Sequence, residues 1–297
     1  MNISSAERKL HEKLFDIQAQ IVEGARDLRI LSTIRWPRSV IDQFLQDWRA
    51  GRPRLPEVQL APPVGLDALV ERMADCMKMT PKDHPLGDVI WKTAWSYSTA
   101  ARMLQSMGTP GFTERSVELY GRPDRRWENQ KFSDLSAAEF MLRTSSDLMQ
   151  SCAVPGIDPN TSADELAVQL RSRIAGVFKQ DPIEVELSPD LASKAAASSK
   201  RVRLRADAMF SELDLDQLFE HEVMVHAGTM LNGAHQPHLD VLGLGSPRTT
   251  RTQEGLAILA ELATNSMDLT RLRRIALRVR GVSLALAESD RIGVDHD

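Results

Sequence analysis

The sequence predicts a mostly α-helical fold with a small β-sheet, an α+β class. Apolar residues recur at three- and four-residue spacing along most of the 297-residue chain, as on the buried face of a helix. Two short stretches, 183–188 ("IEVELS") and 200–206 ("KRVRLRA"), alternate apolar and polar residues instead, as half-buried strands do. Pro37, Gly51, Gly108 and the prolines of 52–65 mark breaks between periodic segments.

The first 45 or so residues read as helix, with Leu10, Leu14, Ile17 and Ile21 on one face. A second helix, "WPRSVIDQFLQDWRAG", is opened by Pro37 and closed by Gly51. Residues 52–65 carry four prolines and form an extended connector. A short amphipathic helix ("LDALVERMADCM") and a longer one stopped by Gly108 follow, and 121–134 is polar and loop-like. "SAAEFMLRTSSDLM" and "SADELAVQLRSRIAGVF" are helices. The second begins with Ser162 three residues before Glu165, the spacing of a capping box. After the two strands a helix starts near Ser211 or Asp214. A Gly-containing loop, "GLGSPRTTRT", leads to "QEGLAILAELATNSMDL" and a last helix, "RLRRIALRVRGVSLALAES". No internal repeat is present.

Lys+Arg total 37 and Asp+Glu 41, a net charge of -4, which gives no electrostatic reason to expect nucleic acid or an anionic membrane as partner. Cys76 and Cys152 cannot build a disulfide framework. The charged start, "MNISSAERKLHEKLFDIQ", lacks the apolar core of a secretory signal, and no apolar run is long enough to span a bilayer. A soluble, cytoplasmic protein is the expectation.

The chemistry concentrates in "LFEHEVMVHAGTM" (218–230). H-E-x-x-H presents two metal-binding histidines one helical turn apart. Here three residues separate Glu222 from His226. On a regular helix His221 and His226 would point roughly 140° apart. One residue of widening to an i→i+5 turn restores a common face, and such π-bulges favour functional sites. A catalytic zinc needs a third protein ligand. Glu254, at the start of an apolar-periodic helix, is the best candidate. Glu261, two turns on, suits a supporting carboxylate better than a ligand. His235 and His238, in "NGAHQPHLD", read as solvated or outlying. On these residues alone, a metal site and a helix holding a satisfied core histidine both stand.

"HEVMVHAGTMLNG" followed by "TRTQEGLAILAEL" resembles the flavohemoglobin expression-modulating QEGLA motif proteins, whose eukaryotic relatives are the microtubule-associated tyrosine carboxypeptidases. The likeness extends to "WPRSVIDQFLQDWRAGRPRLP", "DHPLGDVIWKTAWSYSTAARML" and "ERSVELYGRP". The resemblance implies a zincin-like metallopeptidase whose metal-binding helix is followed by a second, ligand-bearing helix. It implies Zn2+ held by His221, His226 and Glu254, with Glu222 as catalytic base. The reaction implied is removal of C-terminal residues from a peptide or protein with a free C-terminus. Residues 1–64 would form a helical segment and connector, and 65–297 the catalytic domain. That domain is expected to be incomplete at its C-terminus, because the family continues past "ESDRIGVDHD". The competing expectation is a non-catalytic zinc-binding or regulatory protein. A carboxypeptidase must hold its substrate's terminal carboxylate, for which Arg248 and Arg251 are the candidates by position. A phenolic oxyanion donor would be Tyr97 or Tyr120, of which Tyr120 is preferred. The strand at 201–205, if it lies at a sheet edge, offers main-chain pairing to an extended peptide.

Overall fold

The computed structural model describes residues 4–126, 128, 130–151, 158–191 and 193–294, with 290–294 as backbone alone. Cys152 and the final residues 295–297 lie outside the described residues. The chain divides into two compact units, 1–119 and 120–297.

The first unit is helical: α1 (Ser5–Ala25), α2 (Ile30–Thr33), α3 (Arg38–Arg49), α4 (Leu66–Met79), α5 (Pro85–Gln105) and α6 (Pro110–Tyr120), whose last residue opens the second unit. Ser4 caps α1 by accepting from the Glu7 N–H at 3.2 Å. Leu14, Ile17 and Ile21 are buried against α4 and α5, as their spacing predicts. The buried face of α5 includes the small residues Ala94, Ala100 and Ala101, all fully buried, beside the larger Ile90 and Tyr97. Cys76 on α4 is a buried free thiol whose pKa burial pushes up. Because α4 packs on α1 and α5, residues 65–119 group with the helices before the connector rather than with the half that carries His221.

The second unit begins with α7 (Asp134–Ser151), β1 (Thr161–Ser162) and α8 (Ala163–Val177). The capping box is formed: the Ser162 N–H donates to Glu165 Oε2 at 2.8 Å, and the Glu165 N–H donates to Ser162 Oγ at 3.3 Å. Then come β2 (Glu184–Ser188), β3 (Ala195–Ser198), β4 (Arg201–Arg205) and β5 (Met209–Phe210). The main sheet has the order β2-β4-β3, with β4 parallel to β2 and antiparallel to β3; β1 and β5 form a separate antiparallel pair. The expected edge position of 201–205 is therefore corrected. β4 is central, both of its ladders are taken, and it has no free edge to offer a peptide. Val202 and Leu204 point into a core shared with Leu166, Leu170 and Phe210.

The chain continues through α9 (Glu212–Leu218), a π-helical segment (Phe219–Ala227) and α10 (Gly228–Ala234) as one helix. Two 3-10 turns, Asp240–Gly243 and Pro247–Thr249, lead to α11 (Thr250–Ala263), so the expected loop is already helical at Thr250. The last helix, α12 (Leu269–Val294), packs on α7. The α+β class holds. Among the described residues no helix is long and apolar enough to cross a membrane.

Candidate metal centre

The helix that carries the two histidines starts with Ser211, whose N–H donates to Asp214 Oδ2 at 2.7 Å. It runs as α9 for seven residues and then widens to the i→i+5 pattern for nine, from Phe219 to Ala227. The widened segment packs into the core. Phe219, Val223 and Ala227 sit in the core with β3, β4 and α8. In this register residues five apart lie nearly over one another. The imidazoles of His221 and His226 thus share a face, with ring centroids 4.9 Å apart at 71°.

Glu254, on the second turn of α11, meets them. Its Oε2 is 3.7 Å from His221 Nε2 and its Oε1 is 3.4 Å from His226 Nε2. The ligand atoms of the three residues all lie within 4.8 Å of one another. Among the described residues this is the cluster of three or more metal-competent side chains. Donors of a tetrahedral zinc site, about 2.0–2.1 Å from the ion, stand roughly 3.4 Å apart. Two imidazole nitrogens and one carboxylate at these separations fit zinc by both donor chemistry and spacing.

Both imidazoles are held from behind. His221 Nδ1 is 2.6 Å from Glu261 Oε1, and His226 Nδ1 is 3.1 Å from Gln253 Oε1. Carboxylate and amide oxygens accept, so each Nδ1 donates; in the neutral imidazole this leaves each Nε2, which faces Glu254, as the nitrogen able to bind an ion. Glu261 is fully buried, and its ion pair with Arg271 compensates it. The Arg271 Nη2 donates to Glu261 Oε1 at 2.5 Å, Nε pairs with Oε2, and the Gln217 amide packs against the guanidinium, its oxygen 2.7–2.9 Å from the three nitrogens when turned toward them.

Electrostatics follow from this packing. Burial pushes the Glu222 carboxyl above its ordinary value, although the charges of His221 and His226 oppose the rise. For His226 burial works downward, but hydrogen bonds to Glu254 and Gln253 outweigh it and the pKa rises. The bond to His226 lowers Glu254. At Glu261 burial acts upward and loses to the hydrogen bonds from His221 and Arg271, which hold it low.

The structure thus brings His221, Glu222, His226 and Glu254 together. Arg251, in the first turn of α11, turns toward Asp134, with Nη2 at 3.9 Å. It also passes Gly121, where a Cβ would sit 3.5 Å from Nη1. Tyr120, beside Gly121, is half-buried and its phenol pKa is raised by burial. Arg248 lies half-buried in the 3-10 turn Pro247–Thr249. His235 pairs with Asp181 at 3.2 Å, and His238 adopts a left-handed backbone (φ 64°). Sequence reasoning passed over Gln253, Gln217 and Arg271. Gln253 adjoins Glu254 and was detectable from that position; the other two gain their part only through the tertiary fold.

Comparison with curated proteins and with solved structures finds no match. A family model described as microtubule-associated tyrosine carboxypeptidase matches residues 42–294, a span that takes in the π-helical segment, Glu254 and most of the N-terminal unit. With that match over most of its length, the chain belongs to the microtubule-associated tyrosine carboxypeptidase family, a family of carboxypeptidase-type peptidases.

Proposed function

We propose that this chain is a zinc-dependent carboxypeptidase of zincin-like design, acting on a peptide or protein with a free C-terminus. One observation carries the reading: two Nε2 atoms and a carboxylate converge while the far nitrogen of each imidazole is tied to a hydrogen-bond acceptor. A helix that merely contained two histidines would have no need of that arrangement.

His221, His226 and Glu254 would hold the ion. When bound, zinc supplies Lewis-acid polarisation of a carbonyl and acidification of water. Glu222 accepts the proton of the attacking water and returns it to the leaving amine. Its buried setting, which raises its pKa, brings it closer to the working pH of a general base. Glu261 and Gln253 keep the imidazoles aimed. The side chain of Glu254 is 53 % exposed, so the cluster opens toward solvent and is accessible to a chain end. Arg251, close to Glu254 in sequence and beside Tyr120 and Gly121, is proposed to take the substrate's terminal carboxylate, a task its planar fork suits.

The test is metal content by elemental analysis, together with a panel of peptides varied at the C-terminus, tyrosine included. Zinc near one per chain and chelator-sensitive release of the terminal residue are expected. Protein refolded with zinc yet metal-free after dialysis would sink the reading. Zinc without cleavage of any peptide would favour a non-catalytic zinc-binding protein.

A further inference from the structure

The turn between α11 and α12 is built to return one side chain to the metal helix. Ser266 donates its N–H and its hydroxyl to the Glu261 carbonyl at 3.0 and 3.3 Å. Asn265 takes a left-handed backbone (φ 56°), which asparagine tolerates and which lets the chain reverse. Asp268 Oδ1 then accepts from the Arg271 N–H at 2.7 Å and starts α12. The result places the Arg271 guanidinium on Glu261, ten residues back, with both carboxylate oxygens engaged.

We propose that Arg271 is a positioning residue of the metal centre: its fork fixes the Glu261 carboxylate so that Oε1 meets His221 Nδ1, which leaves His221 Nε2 as the metal donor. This rests on the zinc reading above. Distances decide the direction of the bond. Arg271 Nη2 is 3.5 Å from His221 Nδ1, whereas Glu261 Oε1 is at 2.6 Å, so the carboxylate and not the guanidinium partners the ring. A bidentate fork also denies Glu261 rotational freedom that a single contact would leave. Gln217, from the helix leading into the π-helical segment, lays its amide against the guanidinium face. The arrangement runs in series: Gln217 and Asp268 hold Arg271, Arg271 holds Glu261, and Glu261 holds His221.

The test measures zinc affinity of the full chain by competition with a chromophoric chelator, with the melting temperature of each metal-free form followed in parallel. Arg271→Gln and Glu261→Gln should each weaken zinc binding about 10- to 100-fold, the usual effect of losing a partner behind a ligating histidine. The double variant should be no weaker than the worse single one, because residues acting in series are not additive. Arg271→Lys, which keeps a charge but lacks the fork, should recover part of the loss; it also carries the test if Arg271→Gln does not fold. An Arg271 that merely staples α12 in place would lower the melting temperature and leave zinc affinity untouched, and that result, or additive losses, would overturn the proposal. A wild-type chain that takes up no zinc overturns this inference and the zinc reading together. Zinc bound normally and lost in His221→Ala, yet indifferent to both Arg271 variants, overturns this inference alone.

Discussion

His221 and His226 stand five residues apart in sequence and 4.9 Å apart ring to ring. Only the π-helical widening reconciles the two facts, since a regular helix would separate their directions by roughly 140°. Glu254 completes the group from another helix. His221→Ala, His226→Ala and Glu254→Ala are each expected to lose zinc on dialysis while the wild type keeps close to one ion per chain. Atomic absorption on dialysed protein reads this directly, and a single-alanine variant that stays fully loaded removes that residue from the ligand set.

Glu222 separates catalysis from metal binding. It is adjacent to a ligand, half-buried, and acted on electrostatically by His221, His226 and Glu254. Glu222→Gln keeps the size and the hydrogen-bonding capacity and removes the proton acceptor. It should bind zinc like the wild type and cleave peptides on the order of 100- to 10,000-fold more slowly. Equal rates for the two proteins on the same peptide would remove Glu222 as the base.

The pH dependence of the metal-free protein has a definite sign. His226 is raised above its ordinary 6.5, so its contribution to stability is complete below 6.5 and is lost as pH rises through its folded value. Glu254 is lowered from 4.5, so its contribution is complete above 4.5 and is lost as pH falls through its folded value. Glu222, raised by burial, works the other way and costs stability as pH climbs from 4.5 through its folded value. The His226–Glu254 pair therefore stabilises most between about 4.5 and 6.5. The melting-temperature gap between wild type and His226→Ala should be widest there and shrink in alkali; a gap that goes on growing as pH rises well above 6.5 contradicts the assignment. Zinc requires neutral imidazole, so zinc retention should fail on acidification sooner than for an unperturbed histidine.

Two glycines near the site should respond oppositely to a methyl group. A Cβ on Gly233 would lie 2.1 Å from the Leu242 carbonyl oxygen and 2.7 Å from the Gly243 nitrogen, both backbone atoms that cannot swing aside. Gly233→Ala is expected to cost about 1–3 kcal/mol. A Cβ on Gly255, inside α11, would meet nothing within 4 Å. Gly255→Ala should stabilise by about 0.5–1 kcal/mol through helix propensity alone. Denaturant midpoints of the two variants check both signs.

What the sequence disclosed was what spacing determines. The capping box at Ser162 and Glu165 and the extra residue between the histidines are local demands, readable without knowing the fold. Strand β3 was not readable: "AAAS" has no β-branched or aromatic residue, and it is extended because β4 offers a ladder and its alanines fit against the π-helical segment. Helix α6 went unread although Pro110 opens it. Arg271 lies in "RLRR", at the start of the last periodic segment, where nothing in the spacing singles it out. Its inward aim depends on the reversal at Asn265, which no periodicity announces.

The order β2-β4-β3 makes the sheet's middle strand the last of the three to be synthesised. β2 and β3 have no ladder with each other, so a nascent chain ending before Arg201 holds two strands and no sheet. The sheet must close in one event when β4 arrives, and α9 begins only seven residues later. A chain severed at the Ser199–Lys200 turn would leave the two flanking strands in one fragment and the central strand, with His221, His226 and Glu254, in the other. Mixing the halves and titrating zinc would then make reassembly of the sheet and metal uptake a single complementation assay.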